Sequence, residues 1–151
     1  MNAAIEAAVA QAVEAASRLQ EPETLTFIES VAEAITDCYK RDRKLILAGN
    51  GGSLCDAMHF AEEMTGYFRH KRPALPAIVL SDPGHITCVG NDEGFDAIFA
   101  RGVEAHGKPG DLLIVLTTSG NSTNLVTAVD TALEMGLTTV AFLGKGGGRL
   151  R

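Results

Sequence analysis

Short apolar segments alternate with longer segments of helical periodicity along most of the chain. Four apolar segments predict buried strands at 44–49, 77–80, 111–116 and 138–143. Between them, apolar residues recur every three or four positions, which predicts helices over 54–66, 86–90 (a short one, after a turn at 82–85), 95–103 and 123–135. Continuous apolar strands separated by helices are typical of a parallel sheet covered on both faces. The pattern therefore predicts an α/β fold with three layers.

Two more helices are predicted before the first strand, over 3–19 and 24–41, with a break at Glu21-Pro-Glu-Thr24. The first helix carries a narrow, alanine-rich apolar stripe made of Ile5, Val9, Val13, Ala16 and Leu19. A helix outside the α/β alternation needs something to cover such a stripe. Core packing and self-association both remain open at this point.

The stretch 44–64 combines a strand, a glycine-rich turn and a helix. Gly49, Gly51 and Gly52 permit a turn that is closed to most side chains, and a helix N-terminus offers N–H groups to an anion. Ser53 is expected to be the N-cap, with Asp56 as a weaker partner. The buried face of the helix is expected to consist of Leu54, Ala57, Met58, Ala61 and Met64.

His59 and Glu63 lie four residues apart on this helix, so an imidazole and a carboxylate share one face. Such a pair can be two metal ligands, an acid–base pair or a surface hydrogen bond. Its position behind a glycine turn at the end of a strand favours a functional role. A catalytic zinc needs about three protein ligands, and the residues alone do not identify the rest.

The loop 117–122 contains four hydroxyl side chains, those of Thr117, Thr118, Ser119 and Ser122. Because hydroxyls, backbone N–H groups and a helix N-terminus together suit a phosphate monoester, we expect this loop to bind one. Both polar loops, 49–53 and 117–122, follow predicted strands. Ligands of parallel sheets bind beyond the carboxyl ends of the strands, so the two loops are expected to form one site.

Other phosphate and nucleophile motifs fit poorly. The segment beginning at Gly49 matches only half of the dinucleotide fingerprint, because Leu54 stands where the last glycine belongs and Asp82 is too distant for the ribose carboxylate. Neither loop ends in the Gly-Lys-Ser/Thr of a P-loop. Ser119 does not sit in a nucleophile elbow.

The bulk properties narrow the function classes. The chain has 151 residues, enough for one domain, and a net charge of −6, which argues against nucleic-acid binding. The three cysteines lack paired spacing, which favours a reduced, cytoplasmic setting. No apolar segment is long enough for a membrane helix. We expect a cytoplasmic protein with no membrane or nucleic-acid partner.

Three segments together carry a resemblance to the phosphoheptose isomerase family of the sugar isomerase (SIS) domain superfamily. They are Gly49-Asn-Gly-Gly-Ser-Leu-Cys-Asp-Ala-Met-His-Phe-Ala-Glu-Glu-Met64, His85-Ile-Thr-Cys-Val-Gly-Asn-Asp92 and Thr118-Ser-Gly-Asn-Ser122. The resemblance implies a Rossmann-like fold and a cytoplasmic homotetramer. It also implies interconversion of sedoheptulose 7-phosphate and glycero-manno-heptose 7-phosphate, an early step towards the heptose of lipopolysaccharide.

The resemblance also implies roles for individual residues. Asn50, Gly51, Gly52 and Ser53 would line the substrate, as would Asn91 and Asp92. Thr117, Thr118, Ser119 and Ser122 would hold the phosphate. His59 and Glu63 would be ligands of a zinc ion, and Glu63 would also contact the substrate and be the catalytic base.

The glycine-rich segment 144–151 stands where a covering helix is expected after the last strand. Members of the family continue through a strand and a long helix that supply a glutamine and a histidine to the metal and to acid–base catalysis. The interpretation is a single SIS domain without that C-terminal part. A rival is a non-catalytic SIS module, such as a sugar-phosphate sensor or the replication-initiation partner DiaA. Such modules lack the Glu63-type carboxylate, so the presence of both His59 and Glu63 favours the enzyme.

Overall fold

A computed structural model describes residues 2–151, and its centre is a sheet of four parallel strands. The strands are β1 (Leu45–Gly49), β2 (Ala77–Val79), β3 (Leu112–Thr117) and β4 (Thr138–Leu143), in the spatial order β2-β1-β3-β4. Gly49 lies opposite Leu116 in the register of β1 and β3. The carboxyl ends of these two strands are therefore neighbours, as the sequence predicts.

Within residues 2–151, six α-helices accompany the strands. They are α1 (Ala3–Ser17), α2 (Pro22–Lys40), α3 (Gly52–Thr65), α4 (Pro83–Asp92), α5 (Ile98–His106) and α6 (Thr123–Glu134). Short 3₁₀ turns occur at Arg18–Gln20, Phe95–Ala97 and Gly148–Leu150. Within residues 2–151, none of the helices has both the length and the apolar character that crossing a membrane requires.

The two central strands, β1 and β3, are buried on both faces, whereas β2 and β4 are partly exposed. On one face, alternate residues of β1 and β3 (Ile46, Ala48, Leu113, Val115) pack in one core with residues of α5 and α6 such as Phe99 and Leu125. The intervening residues are also buried and point to the other side (Leu45, Leu47, Leu112, Ile114). Helix α3 contacts β1, β2 and β3 and buries Ala57 and Ala61. The predicted parallel sheet with helices on both faces is confirmed.

The chain divides into two compact units, one ending at Ala34 and the other beginning at Ile35. The first unit contains α1, which has no buried residue. The apolar stripe of α1 is exposed: the relative accessibility is 60% for Ile5, 58% for Val9 and 62% for Val13. The second unit holds the whole sheet.

Several local predictions were wrong. The N-cap of α3 is Gly51, and the predicted N-cap, Ser53, lies inside the helix. Gly51 has a positive φ of 55°, which lets the turn end and the helix begin two residues earlier than predicted. Met58 is half exposed, because Ala57 and Ala61 already occupy the face towards the sheet. The turn predicted at 82–85 belongs to α4, since Asp82 caps the helix by accepting from the His85 N–H and Pro83 stands in its first turn.

Candidate functional site

The turn between β1 and α3 requires glycine at its first position. A Cβ on Gly49 would lie 2.6 Å from the Ser53 carbonyl oxygen, so only glycine lets the helix begin this close to the strand. Gly51 and Gly52 differ, because a Cβ on either would meet no atom within 4 Å. Their backbone therefore borders open space, where a ligand can approach it.

Helix α3 places His59 and Glu63 together, with Nε2 of His59 3.3 Å from Oε1 of Glu63. The side chain of His59 is 73% exposed and that of Glu63 27%. Glu62 joins them: the three residues can each offer one ligand atom, and these atoms lie within 4.8 Å of one another. One imidazole and two carboxylates suit zinc. Glu62 was not among the predicted ligands, although its spacing from His59 would have indicated it.

A cavity of about 410 Å³ borders His59 and Glu63. Its wall is mainly apolar, and it is lined by Asp56, His59, Phe60, Glu63, Met64, Phe68 and Leu116. Leu116 comes from the carboxyl-terminal part of β3, next to the loop 117–122. The cavity therefore joins the α3 pair to the strand end that carries the hydroxyl-rich loop.

Two of the four hydroxyls in the loop 117–122 shape the loop itself. The Thr117 hydroxyl is buried and accepts a hydrogen bond from the Gly120 N–H at 3.2 Å. The Ser119 hydroxyl accepts one from the Asn121 N–H, also at 3.2 Å. Ser122 is the N-cap residue of α6, and its side chain makes no capping bond. Thr118 is exposed.

The segment 144–150 packs on this loop. The N–H of Gly144 donates to the Thr117 carbonyl at 3.1 Å, and that of Leu150 to the Gly120 carbonyl at 3.2 Å. Asn121 accepts from the Arg149 N–H through its side chain at 3.0 Å. The contact is so close that a Cβ on Gly120 would lie 1.7 Å from the Gly147 carbonyl oxygen. These contacts could not be predicted from the sequence, because a glycine-rich segment carries no pattern that indicates what it packs against.

An amide pair links the two loops. Asn50 follows β1 in the glycine turn, and Asn124 is the second residue of α6. Each donates from Nδ2 to Oδ1 of the other, both at 3.0 Å. Asn124 is only 2% exposed. Asn50 was a predicted site residue; Asn124 was not, because nothing local marks it.

Asn91 and Asp92 lie in the last turn of α4, where both are exposed. The Asn91 amide donates to the Asp92 carboxylate at 2.7 Å. Within residues 2–151, the lining of the cavity includes neither of them, nor any residue of 117–122. The structure thus joins His59, Glu63 and the end of β3 directly, while the places of Asn91 and Asp92 in a site stay predictions.

Arg72 fixes the end of α3 beside the cavity. Its guanidinium donates to the carbonyl oxygens of Glu63, at 2.7 Å, and of Met64, at 2.9 Å. These carbonyls belong to the last turn of a helix, where no intrahelical N–H is available to them. Arg72 therefore caps the helix end that carries Glu63, a role that its position in the sequence did not predict.

Comparison with known proteins decides the family. The model of the SIS domain family matches residues 6–144. The phosphoheptose isomerase of Fusobacterium nucleatum is 53% identical over 133 residues, which are 88% of this chain and 69% of that protein. The chain belongs to the phosphoheptose isomerase family of SIS domains. The phosphoheptose isomerase of Vibrio cholerae is 48% identical over 132 residues, covering 87% of this chain and 69% of that protein.

Solved structures of phosphoheptose isomerases have the same fold. The enzyme from Francisella tularensis superposes with a TM-score of 0.92 at 35% identity, over 99% of this chain and 80% of that one. The enzyme from Neisseria gonorrhoeae gives 0.88 at 37% identity, over 97% and 76%. The family predicted from the three motifs is confirmed.

Proposed function

We propose that this phosphoheptose isomerase family member interconverts sedoheptulose 7-phosphate and D-glycero-D-manno-heptose 7-phosphate, and so serves the synthesis of lipopolysaccharide heptose. The observation that carries the proposal is the carboxylate of Glu63 in a cavity bounded by the end of β3, with the hydroxyl-rich loop directly following that strand. The identity of about 50% to phosphoheptose isomerases supports the choice of substrate.

The proposed chemistry begins with the phosphate. The loop 117–122 and the N-terminus of α6 hold it, with Thr117, Thr118, Ser119 and Ser122 supplying hydroxyls alongside backbone N–H groups. Binding energy from this remote group positions the reacting carbons against α3. Asn50, Gly51, Gly52 and Ser53 would line the sugar, and so would Asn91 and Asp92.

Glu63 is the proposed base. Its carboxylate takes a proton from C1 of the ketose, the electron pair forms the C1–C2 double bond of an enediolate, and the C2 carbonyl oxygen gains charge. The same carboxylate then returns the proton to C2, while C1 becomes the aldehyde carbon. A second acid–base group must move one proton from O1 to O2, so that the product is an isomer with no other reactant consumed.

A divalent metal, with zinc as the first choice, is part of the proposal. His59 and Glu63, with Glu62 close by, would hold it. When bound, such an ion supplies a Lewis acid that stabilises negative charge on a substrate oxygen. The donor set fits, because imidazole nitrogen and carboxylate oxygen are both zinc ligands.

The proposal extends to assembly and location. A homotetramer is supported by the exposed apolar stripe of α1, which a neighbouring copy would cover. A cytoplasmic location is supported by three cysteines that are all free, Cys38, Cys55 and Cys88. Residues 1–151 are proposed to belong to a single SIS domain.

The test is conversion of sedoheptulose 7-phosphate by the full-length protein, as wild type and as Glu63→Gln. We expect turnover by wild type and a loss of about 10²-fold or more in kcat for the variant, with substrate still bound, since general acid–base catalysis is worth this much. The exposed Glu134 at the end of α6 provides the control, Glu134→Gln, which should retain full activity. A wild type that binds the sugar phosphate but never converts it would identify a sensor rather than an enzyme.

A further inference from the structure

The Asn50–Asn124 pair connects two parts of the proposed site that are 74 residues apart in sequence. Asn50 stands between β1 and α3, the helix of His59 and Glu63. Asn124 stands in the first turn of α6, directly after the loop 117–122. The pair therefore connects the proposed phosphate-binding loop with the glycine turn that precedes the helix of the proposed base.

Two features make the pair specific. Each amide both donates to and accepts from the other at 3.0 Å, so no other side chain of this size could replace either partner without losing a bond. Asn124 is 2% exposed, so water does not readily take the place of Asn50. Loss of Asn50 would leave the buried Asn124 amide unsatisfied.

The backbone on both sides of the pair is fixed. The Ser53 N–H donates to the Asn50 carbonyl at 3.1 Å, which ties Asn50 to the first turn of α3. The N–H groups of Leu125 and Val126 donate to the Ser122 carbonyl at 3.0 and 3.1 Å, which ties Asn124 to the end of the loop. A displacement of the glycine turn 50–52 is therefore coupled to the loop 117–122 through two side chains and not through a long flexible segment.

We propose that Asn124 is a positioning residue that holds the glycine turn 50–52 in register with the loop 117–122 through Asn50. This inference rests on the proposed function. In that function, a phosphate held at the loop 117–122 places the sugar carbons at a fixed distance from Glu63, so the relative position of the two loops matters for the reaction. Asn124 itself touches no substrate in this arrangement. Its effect on the reaction passes entirely through Asn50.

The experiment is a double-mutant cycle with Asn50→Ala, Asn124→Ala and the double variant, measured on sedoheptulose 7-phosphate. We expect Asn124→Ala to lower kcat at least tenfold per folded molecule. Its affinity for inorganic phosphate should stay within about twofold of wild type. In the Asn50→Ala background, the same substitution should change kcat less than twofold, because its route of action is already removed.

The control is Thr131→Ala, which removes a hydroxyl donating within α6 to the Thr127 carbonyl at 2.8 Å. Its kcat should equal that of wild type. If Asn124→Ala does not fold, Asn124→Ser serves instead, because serine cannot exchange two hydrogen bonds with an amide. Equal fold-losses from Asn124→Ala in both backgrounds, or an unchanged kcat per folded molecule, would overturn the proposal.

A second measurement separates this proposal from the proposed function. Inorganic phosphate is titrated while the backbone amide resonances of Gly51, Gly52 and the loop 117–122 are followed by NMR. In wild type we expect both groups to shift, and in Asn124→Ala only the loop. Identical shifts in the two proteins would refute the coupling. Wild type that shows this coupling but no turnover would refute the isomerase assignment alone.

Discussion

Arg72 donates a hydrogen bond of 2.7 Å to the backbone carbonyl of Glu63 and so closes the helix that carries the proposed base. A second bond, to Met64, completes the cap, and the Leu75 N–H donates to the same Met64 carbonyl at 3.1 Å. The polar connection after α3 is thus anchored to the helix end. The orientation of Glu63 depends on this anchor as well as on α3 itself.

Replacement of Arg72 by alanine should therefore destabilise the protein. We expect the free energy of unfolding to fall by about 1–3 kcal/mol, since two hydrogen bonds from a charged group are lost and the Glu63 carbonyl loses its partner, while the Met64 carbonyl keeps the Leu75 N–H. Urea denaturation measures the change. Lys71→Ala, which removes the neighbouring exposed cation, should leave stability within about 0.5 kcal/mol. If the two variants were equally stable, Arg72 would not stabilise the C-terminal end of α3.

Ser119→Ala should weaken binding of sedoheptulose 7-phosphate by about 1–3 kcal/mol, because a hydrogen bond to a charged phosphate is lost. Part of the effect will come from the loop, since the Ser119 hydroxyl also accepts from the Asn121 N–H. Calorimetry measures the affinity. Thr127→Ala, which loses a hydroxyl bonded only to the Thr123 carbonyl within α6, is the matched control. Unchanged affinity in Ser119→Ala would place the phosphate elsewhere.

Metal content should depend on His59. Protein purified without chelator is expected to contain a divalent metal, and His59→Ala much less, as measured by elemental analysis. Glu62→Gln and Glu63→Gln decide which carboxylate is a ligand, since both lie within reach of the imidazole. His106→Ala removes another exposed histidine and should retain the metal. Equal occupancy in wild type and His59→Ala would exclude His59 as a ligand.

Light scattering should give a mass of about four chains. The reason is the exposed apolar stripe of α1, which stays in water unless another copy covers it. Val9→Glu places a charge in the centre of this stripe and should reduce the mass, whereas Gln11→Glu on the same helix should not. A wild-type monomer at micromolar concentration would contradict the tetramer.

Stability should fall at acid pH through Asp111. This carboxylate is 1% exposed and is bound by the Lys44 ammonium, by the Lys44 N–H at 3.1 Å and by the Lys108 N–H at 2.9 Å. Burial raises its pKa, but these bonds and the charge of Lys44 outweigh burial and hold the pKa below the ordinary 3.8. A lowered pKa in the folded state stabilises the protein above pH 3.8, and that contribution is lost as the pH falls through the lowered value.

The measurement is the free energy of unfolding between pH 7 and pH 3 for wild type and Asp111→Asn. The variant should be less stable at pH 7, because a buried ion pair has lost one partner. Its stability should also decline less towards pH 3, because the shifted carboxylate is gone. Parallel pH profiles would show that Asp111 is not the group responsible.

The sequence predicted those features that depend on local geometry. Short apolar segments such as 44–49 and 111–116, separated by segments of helical periodicity, are typical of buried parallel strands, so the pattern predicted the fold class. The shared face of His59 and Glu63 followed from helix periodicity alone. The segment after Gly49 was specific enough to indicate the family, which the comparisons confirm.

The tertiary structure decided which distant segments meet. Three such contacts are the pairing of Asn50 with Asn124, the cap of Arg72 on α3 and the packing of 144–150 on the loop 117–122. In each, the local sequence around one partner does not indicate the other. The N-cap of α3 is Gly51 and not the predicted Ser53, because the end of β1 packs closely against the start of α3 and this packing determines where the helix begins. Local periodicity fixes how a segment folds and which face it buries. Contacts between segments depend on strand order and side-chain fit, which exist only once the chain is folded.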